Sequence, residues 1–175
     1  CTLSRNGDLV QEIYLKAVLS IKGHSGDRNY RLGDVTSLVE HVEVEIGGQK
    51  IDKHYSQWLD IYNDLFETDS SHARRNIMTS TFGTTTAAID KSFTAYVPLR
   101  FWFNRNPGLA LPLIALQYHE VKVNVTLGAV DELFGHADNT PVPTSAVACA
   151  ASATGNKVGV TLSSADLLVN YLYLD

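Results

Sequence analysis

The stretch that decides the fold is Leu9-Val10-Gln11-Glu12-Ile13-Tyr14-Leu15-Lys16-Ala17-Val18-Leu19-Ser20-Ile21-Lys22. Its odd positions Leu9, Ile13, Leu15, Ala17, Leu19 and Ile21 are apolar, while Glu12, Lys16, Ser20 and Lys22 fall on even ones. Successive side chains of a strand point to opposite faces, so a period of two describes a long β-strand with one face buried. Val10, Tyr14 and Val18 make the second face partly apolar too.

The same period recurs downstream. Val42-Glu43-Val44-Glu45-Ile46 alternates cleanly, and Gly47-Gly48 then offers the two positive-φ positions of a tight hairpin turn before Gln49-Lys50-Ile51. Phe93 to Phe103 places Phe93, Ala95, Val97, Leu99, Phe101 and Phe103 on one face, with Pro98 marking a sheet edge or bulge because it cannot donate to a ladder. After the turn-like Asn104 to Gly108 come the apolar Leu109 to Leu116, then His119, Val121, Val123, Val125 and Leu127 in alternation with polar residues. Val158, Val160 and Leu162 alternate again, and Leu167 to Leu174 is apolar on both faces, as expected of a strand at the centre of a packed sandwich. Helical spacing occurs in one segment, where Trp58, Leu59, Tyr62, Leu65 and Phe66 follow Ser56, a candidate N-cap. Thr68 to Lys91 and Gly135 to Asn156 read as long loops.

Many strands, one short helix and long excursions predict an all-β, antiparallel sandwich of Greek-key or jelly-roll type. The expected interior comprises Leu15, Leu19, Val44, Val97, Leu99, Phe101, Val121, Val123 and Val125, each on the more apolar face of its run.

At 175 residues the chain has the length of one domain. Hydrophobic residues at 45% allow a sizeable core, and charged residues at 19% are fewer than the usual quarter, which suits a surface that other subunits cover or equally a monomer of modest charge. The formal net charge of −5, with no basic stripe, argues against a grip on nucleic acid. No apolar run reaches the ~18 residues of a membrane span, and no export signal opens the chain. It starts at Cys1 without a Met and stops in an apolar run, the pattern of a piece of a longer polypeptide. Cys1 and Cys149 lack CxxC spacing and read as reduced, unpaired thiols.

Chemistry-bearing patterns are scarce. The histidines at 24, 41, 54, 72, 119 and 136 form no metal-ligand spacing. His119 and Glu120, read as strand neighbours, point to opposite faces and cannot share a substrate. Glu43 and Glu45 share a face, where a glycosidase could hold its two carboxylates, but such a pair is also what a solvent-facing strand edge carries. No GxSxG, Walker or GxGxxG motif is present. Asn124-Val125-Thr126 is a glycosylation sequon placed mid-strand, and Arg74-Arg75 is too short to define a contact surface. No catalytic, cofactor-binding or metal-binding residue is therefore assigned.

The stretch Phe101-Trp102-Phe103-Asn104-Arg105-Asn106-Pro107-Gly108-Leu109-Ala110-Leu111-Pro112-Leu113-Ile114-Ala115-Leu116-Gln117-Tyr118-His119-Glu120-Val121 resembles a signature of the major capsid proteins of nucleocytoplasmic large DNA viruses, of the algal-virus and iridovirus kind. Ser4 to Leu9, Val42 to Tyr55 and Tyr171 to Asp175 resemble the same family in the same order. The resemblance implies that residues 1–175 form a single jelly-roll domain, the incomplete first of two in tandem. It further implies a homotrimer building pseudo-hexagonal capsomers of an icosahedral shell. Neighbouring capsomers and minor capsid proteins would be its partners, the virion capsid its location and the infected host cell, in its cytoplasm, its place of assembly. It brings no catalytic residue to carry over, and the absence of cofactor and of direct nucleic-acid contact is expected from the missing motifs and the net charge of −5. The alternative is a β-sandwich carbohydrate-binding or glycan-processing module.

Overall fold

A computed structural model describes residues 1–23, 30–32, 35–66, 90–129, 134–136 and 158–174. The strands are β1 (Leu9–Gly23), β2 (Tyr30–Leu32), β3 (Val39–Ile46), β4 (Gln49–Tyr55), β5 (Asp90–Pro98), β6 (Leu111–Pro112), β7 (Val121–Leu127), β8 (Phe134–His136) and β9 (Val158–Leu172). Helix α1 (Ser56–Phe66) follows β4 directly. Short helical turns occur at Val35–Leu38, Trp102–Arg105 and Pro107–Leu109.

Every strand pairing among the described residues is antiparallel. In the first sheet β1 lies between β5 and β9, and β6 takes up Leu9 and Val10 beyond the point where β5 ends. In the second, β3 lies between β4 and β7. Cys1–Leu3 bonds to the other edge of β7, through Leu3 N to Val121 O at 2.9 Å and Val123 N to Cys1 O at 2.8 Å. β2 and β8 form a separate two-stranded ribbon. Leu15, Ala17, Leu19, Ala95 and Val97 of the first sheet and Val42, Val44, Val121 and Val123 of the second join one buried cluster, which is the core of an antiparallel sandwich of jelly-roll type. Of the nine residues expected inside, eight are buried and Val125 is partly buried against them.

The hairpin forms as its glycines demand. Gly47 and Gly48 have φ of 59° and 84°, and Ile46 pairs with Gln49 across a two-residue turn. Pro98 ends β5, which among the described residues pairs with β1 alone, so the proline sits at a sheet edge.

Several expectations need correction. Val10, not Leu9, is fully buried at the start of β1, because the pairing with β9 shifts register between Val10 and Glu12 and changes the phase of the alternation. The run to Phe103 stops being a strand at Pro98. Asn104 Oδ1 accepts from Phe101 N at 3.1 Å while its Nδ2 donates to Gln11 O at 2.7 Å, and these bonds fix a helical turn at Trp102–Arg105. Phe101 and Phe103 are buried all the same. Of Leu109 to Leu116 only Leu111 and Pro112 are strand, and His119 and Glu120 lie ahead of β7. Among the described residues the final apolar run does not lie at the centre of the sandwich: β9 pairs with β1 alone, and Leu168 is 44% exposed. At the far end of α1, Leu65 and Phe66 are exposed, whereas Leu59 and Asn63 are buried. Apart from the ends Asp90–Lys91 and Gly135–His136, the two long-loop assignments, with Arg74-Arg75 and Cys149, lie outside the described residues.

Candidate functional site

The densest convergence of distant segments is built by Ser4 to Asp8, which enters β1. Arg5 Nη2 donates to the carbonyls of Leu116 at 3.1 Å and His119 at 3.2 Å. Those carbonyls belong to a turn segment, and the guanidinium satisfies both at once. Asp8 works toward the other end of the chain. Its Oδ2 accepts from Leu174 N at 2.8 Å, its N–H donates to Leu172 O at 3.0 Å, and its carbonyl accepts from Ile114 N at 3.3 Å. Ser4 and Tyr171 share a hydroxyl hydrogen bond of 3.1 Å. Gly7 fits beneath Tyr171, where an added Cβ would stand 2.7 Å from the tyrosine Cβ. Reading by period gives these residues no role, since they lie ahead of the alternating run. Their sequence signal is a cluster of Ser, Arg, Asn, Gly and Asp at a strand entrance, which marks a turn without saying what it ties together.

Glu43 sits in the middle strand of its sheet, not on a solvent-facing edge. It is 6% exposed beneath Lys50 at 3.0 Å and Lys53 at 3.3 Å, with His41 at 4.0 Å. Hydrogen bonding from Lys50, then from Lys53, holds its carboxyl below the usual range against the opposing effect of burial. A glycosidase acid needs the opposite shift, so this carboxylate is a charged tie within the sheet. Glu45 accepts from Asn124 Nδ2 at 3.4 Å, and Thr126 bonds His41 Nε2 at 3.1 Å. The sequon side chains are thus spent on the sheet face.

His54 stacks on Phe101 at 4.8 Å between centroids and meets Asp52 at 3.1 Å through Nε2. Burial, aided by Arg105, lowers its pKa against the pull of Asp52, and its Nδ1 has no hydrogen-bond partner among the described residues. Arg105 lies over Trp58 at 5.5 Å and Tyr62 at 5.7 Å, pinning α1 to the sandwich. His119 contacts the hairpin at Gly47, His24 and His72 lie outside the described residues, and His136 falls in β8. Among the described residues no group of three or more His, Cys, Asp or Glu side chains is placed to hold a metal, and no helix is long and apolar enough to cross a membrane. Cys1 is a free, exposed thiol.

A cleft of about 450 Å³ opens between the two sheets, lined by Cys1, Leu15, Val123, Val125, Ala165 and Leu167 among others. Asp166 joins its mainly apolar lining, and the cleft lies between β9 and the side of β7 to which Cys1–Leu3 bonds. It brings no acid–base pair together.

Residues 1–175 match, from end to end, the family model described as major capsid protein N-terminus. The chain belongs to the major capsid protein family. Within it, the chain is 42% identical over 181 residues to the major capsid protein of Pyramimonas orientalis virus, covering 100% of its own length and 39% of that relative. It is 46% identical over 127 residues to the major capsid protein of Paramecium bursaria Chlorella virus 1, covering 73% of its own length and 28% of the relative's. A quasi-atomic model of the PBCV-1 virus capsid superposes with a TM-score of 0.72 at 37% identity, over 99% of this chain and 37% of that one. The capsid-family chain therefore spans less than two fifths of the relatives it matches. Its jelly-roll sandwich is theirs, and the Ser4–Asp8 junction is a device of construction that locks the two ends of this segment to the turn ahead of β7.

Proposed function

We propose that the chain is a structural part of the shell of a large icosahedral DNA virus and carries out no catalysis. The observation that carries this reading is the capsid-family match along all of residues 1–175, together with the superposition on the PBCV-1 capsid over 99% of the chain. The segment serves as the first of two tandem jelly rolls in a longer polypeptide that trimerises into pseudo-hexagonal capsomers. Neighbouring capsomers and minor capsid proteins are its partners, the virion capsid is its location and the cytoplasm of the infected cell its place of assembly. The physical chemistry agrees with a bearing wall. Two of its carboxylates act as ties within the segment, Glu43 with Lys50 and Lys53 and Asp8 with Leu174 N. The net charge of −5 disfavours direct contact with the genome.

Mass photometry of the full-length protein tests the reading. A stable trimer is expected, with an interface of the permanent kind that buries more than about 2,000 Å². A monomer at micromolar concentration would overturn it.

A further inference from the structure

Asn6-Gly7 is the one Asn-Gly pair in the sequence, and the Ser4–Asp8 junction leaves it open to solvent. Asn6 is exposed and Gly7 half-buried, in the bend that enters β1. Among the described residues the Asn6 carboxamide makes no hydrogen bond, and no acceptor meets the Gly7 N–H. Other asparagines are held: Asn104 by Phe101 N at 3.1 Å and Gln11 O at 2.7 Å, and Asn124 by Glu45 at 3.4 Å. Asn6 therefore sets a free amide carbon beside an unblocked backbone nitrogen, and glycine, lacking a Cβ, puts the least hindrance around that nitrogen. No other residue can shield it, because a Cβ on Gly7 would stand 2.7 Å from the Tyr171 Cβ.

We propose that Asn6 is a site of spontaneous covalent modification, deamidation through a cyclic imide, and that its isoaspartyl product unlocks the junction as the protein ages. The Gly7 nitrogen gives its proton to hydroxide and attacks Asn6 Cγ; the bond from Cγ to Nδ2 breaks, and Nδ2 takes a proton from water and leaves as ammonia. Water then opens the imide. Cleavage between Cγ and the Gly7 nitrogen yields aspartate, whereas cleavage between the Asn6 backbone carbonyl carbon and that nitrogen yields isoaspartate, with the main chain running through Cβ and Cγ. Nothing is oxidised or reduced, and water is the only co-reactant. Isoaspartate lengthens the backbone by a methylene between two anchored stretches. On one side Arg5 holds the carbonyls of Leu116 and His119, and Ser4 holds Tyr171. On the other, Gly7 is seated against Tyr171 and Asp8 N donates to Leu172 O at 3.0 Å. A close-packed seat does not absorb the added length, so one set of ties must give way.

In the test, full-length protein is held for days in warm, mildly alkaline buffer and mapped by peptide mass spectrometry, with isoaspartate scored by methyl transfer from a purified isoaspartyl methyltransferase. Acid is expected to accumulate at Asn6 several times faster than at Asn104 or Asn124, with isoaspartate the larger product and the urea midpoint falling as it forms. Asn6→Ser removes a carboxamide that bonds to nothing described, so its fresh midpoint should match the parent's and hold on ageing. The conversion itself is read on the unaltered protein and does not depend on how the variant folds. An Asn6 that stays an amide in the folded protein, while a synthetic peptide of residues 3–9 converts, would overturn the site. A midpoint that falls equally in Asn6→Ser, or that holds while isoaspartate accumulates, would overturn the unlocking.

Discussion

Gly7 leaves no space for a side chain, since a methyl group there would collide with the Tyr171 Cβ at 2.7 Å. Gly7→Ala is expected to destabilise the fold by about 1 to 3 kcal/mol, the usual range for overpacking, measured as a lower urea midpoint at unchanged slope. The hairpin glycines offer a finer contrast. Both have positive φ, so alanine at either costs roughly 1 to 2 kcal/mol of backbone strain, but at Gly47 the new Cβ would also meet His119 Nδ1 at 2.8 Å, while at Gly48 nothing lies within 4 Å. Gly47→Ala should therefore be the more damaging of the two, and equal midpoints for both variants would contradict the described contact. His54 sets a pH dependence of definite sign. Burial depresses its folded-state pKa, so the unfolded chain, titrating near the ordinary value of about 6.5, binds the proton more readily. The stability tied to this group is complete above that value and declines as the pH falls below it. Comparing urea midpoints near pH 7.5 and near pH 5.5, on either side of the ordinary histidine value, His54→Gln should shrink the difference between them; an undiminished difference would place the acid sensitivity elsewhere.

Between residues and the whole sandwich, the strands explain what could be read in advance. A row of alanines crosses the first sheet, Ala95 on β5, Ala17 on β1 and Ala165 on β9, in direct register. Ala17 and Ala95 are fully buried, whereas Ala165 lines the open cleft. Ala17→Leu is expected to cost about 1 to 3 kcal/mol and Ala165→Leu under about 0.5, because only the first has no volume to expand into. Thermal unfolding of the two variants distinguishes them directly. Where one face of a strand is apolar and the other polar, as in β3 or β7, the alternation of Val42 and Val44 with Glu43 and Glu45 announces both strand and orientation, even though Glu43 is buried beneath its lysines. The failures have a common origin in long-range bonds that local pattern does not contain. Phe101 and Phe103 keep the strand period, yet Asn104 reaches across to Gln11 and folds the backbone into a turn. Leu167 to Leu174 looks central because both faces are apolar, and only the pairing, with β1 alone among the described residues, reveals an outer position. Ser4–Asp8 carries no periodicity, so its ties to residues more than a hundred positions away were legible only as a turn-like composition beside a family resemblance.

For the molecule as a whole, charge is the property that sequence alone settles most directly. With 14 basic against 19 acidic residues and no basic stripe, residues 1–175 should confer no salt-sensitive DNA binding at or tighter than the ~10⁻⁴ to 10⁻⁶ M of ordinary nonspecific binders near physiological salt. Fluorescence anisotropy with a labelled duplex checks this, and tight binding that weakens steeply with added salt would defeat it. The position of β1 between β5 and β9 carries a further consequence, for biosynthesis. β1 leaves the ribosome well ahead of β9, and fourteen of its residues find their β9 partners only when residues 158 to 172 emerge. At about 5 to 20 residues per second, this leaves one side of a long, apolar strand bare for roughly ten seconds. Contacts so distant in sequence also make closure slow once the partner arrives. Nascent chains on one message are then each other's most available β9 substitutes, so the spacing of ribosomes and the presence of a chaperone that shields β1 govern how much of the polypeptide reaches the folded state.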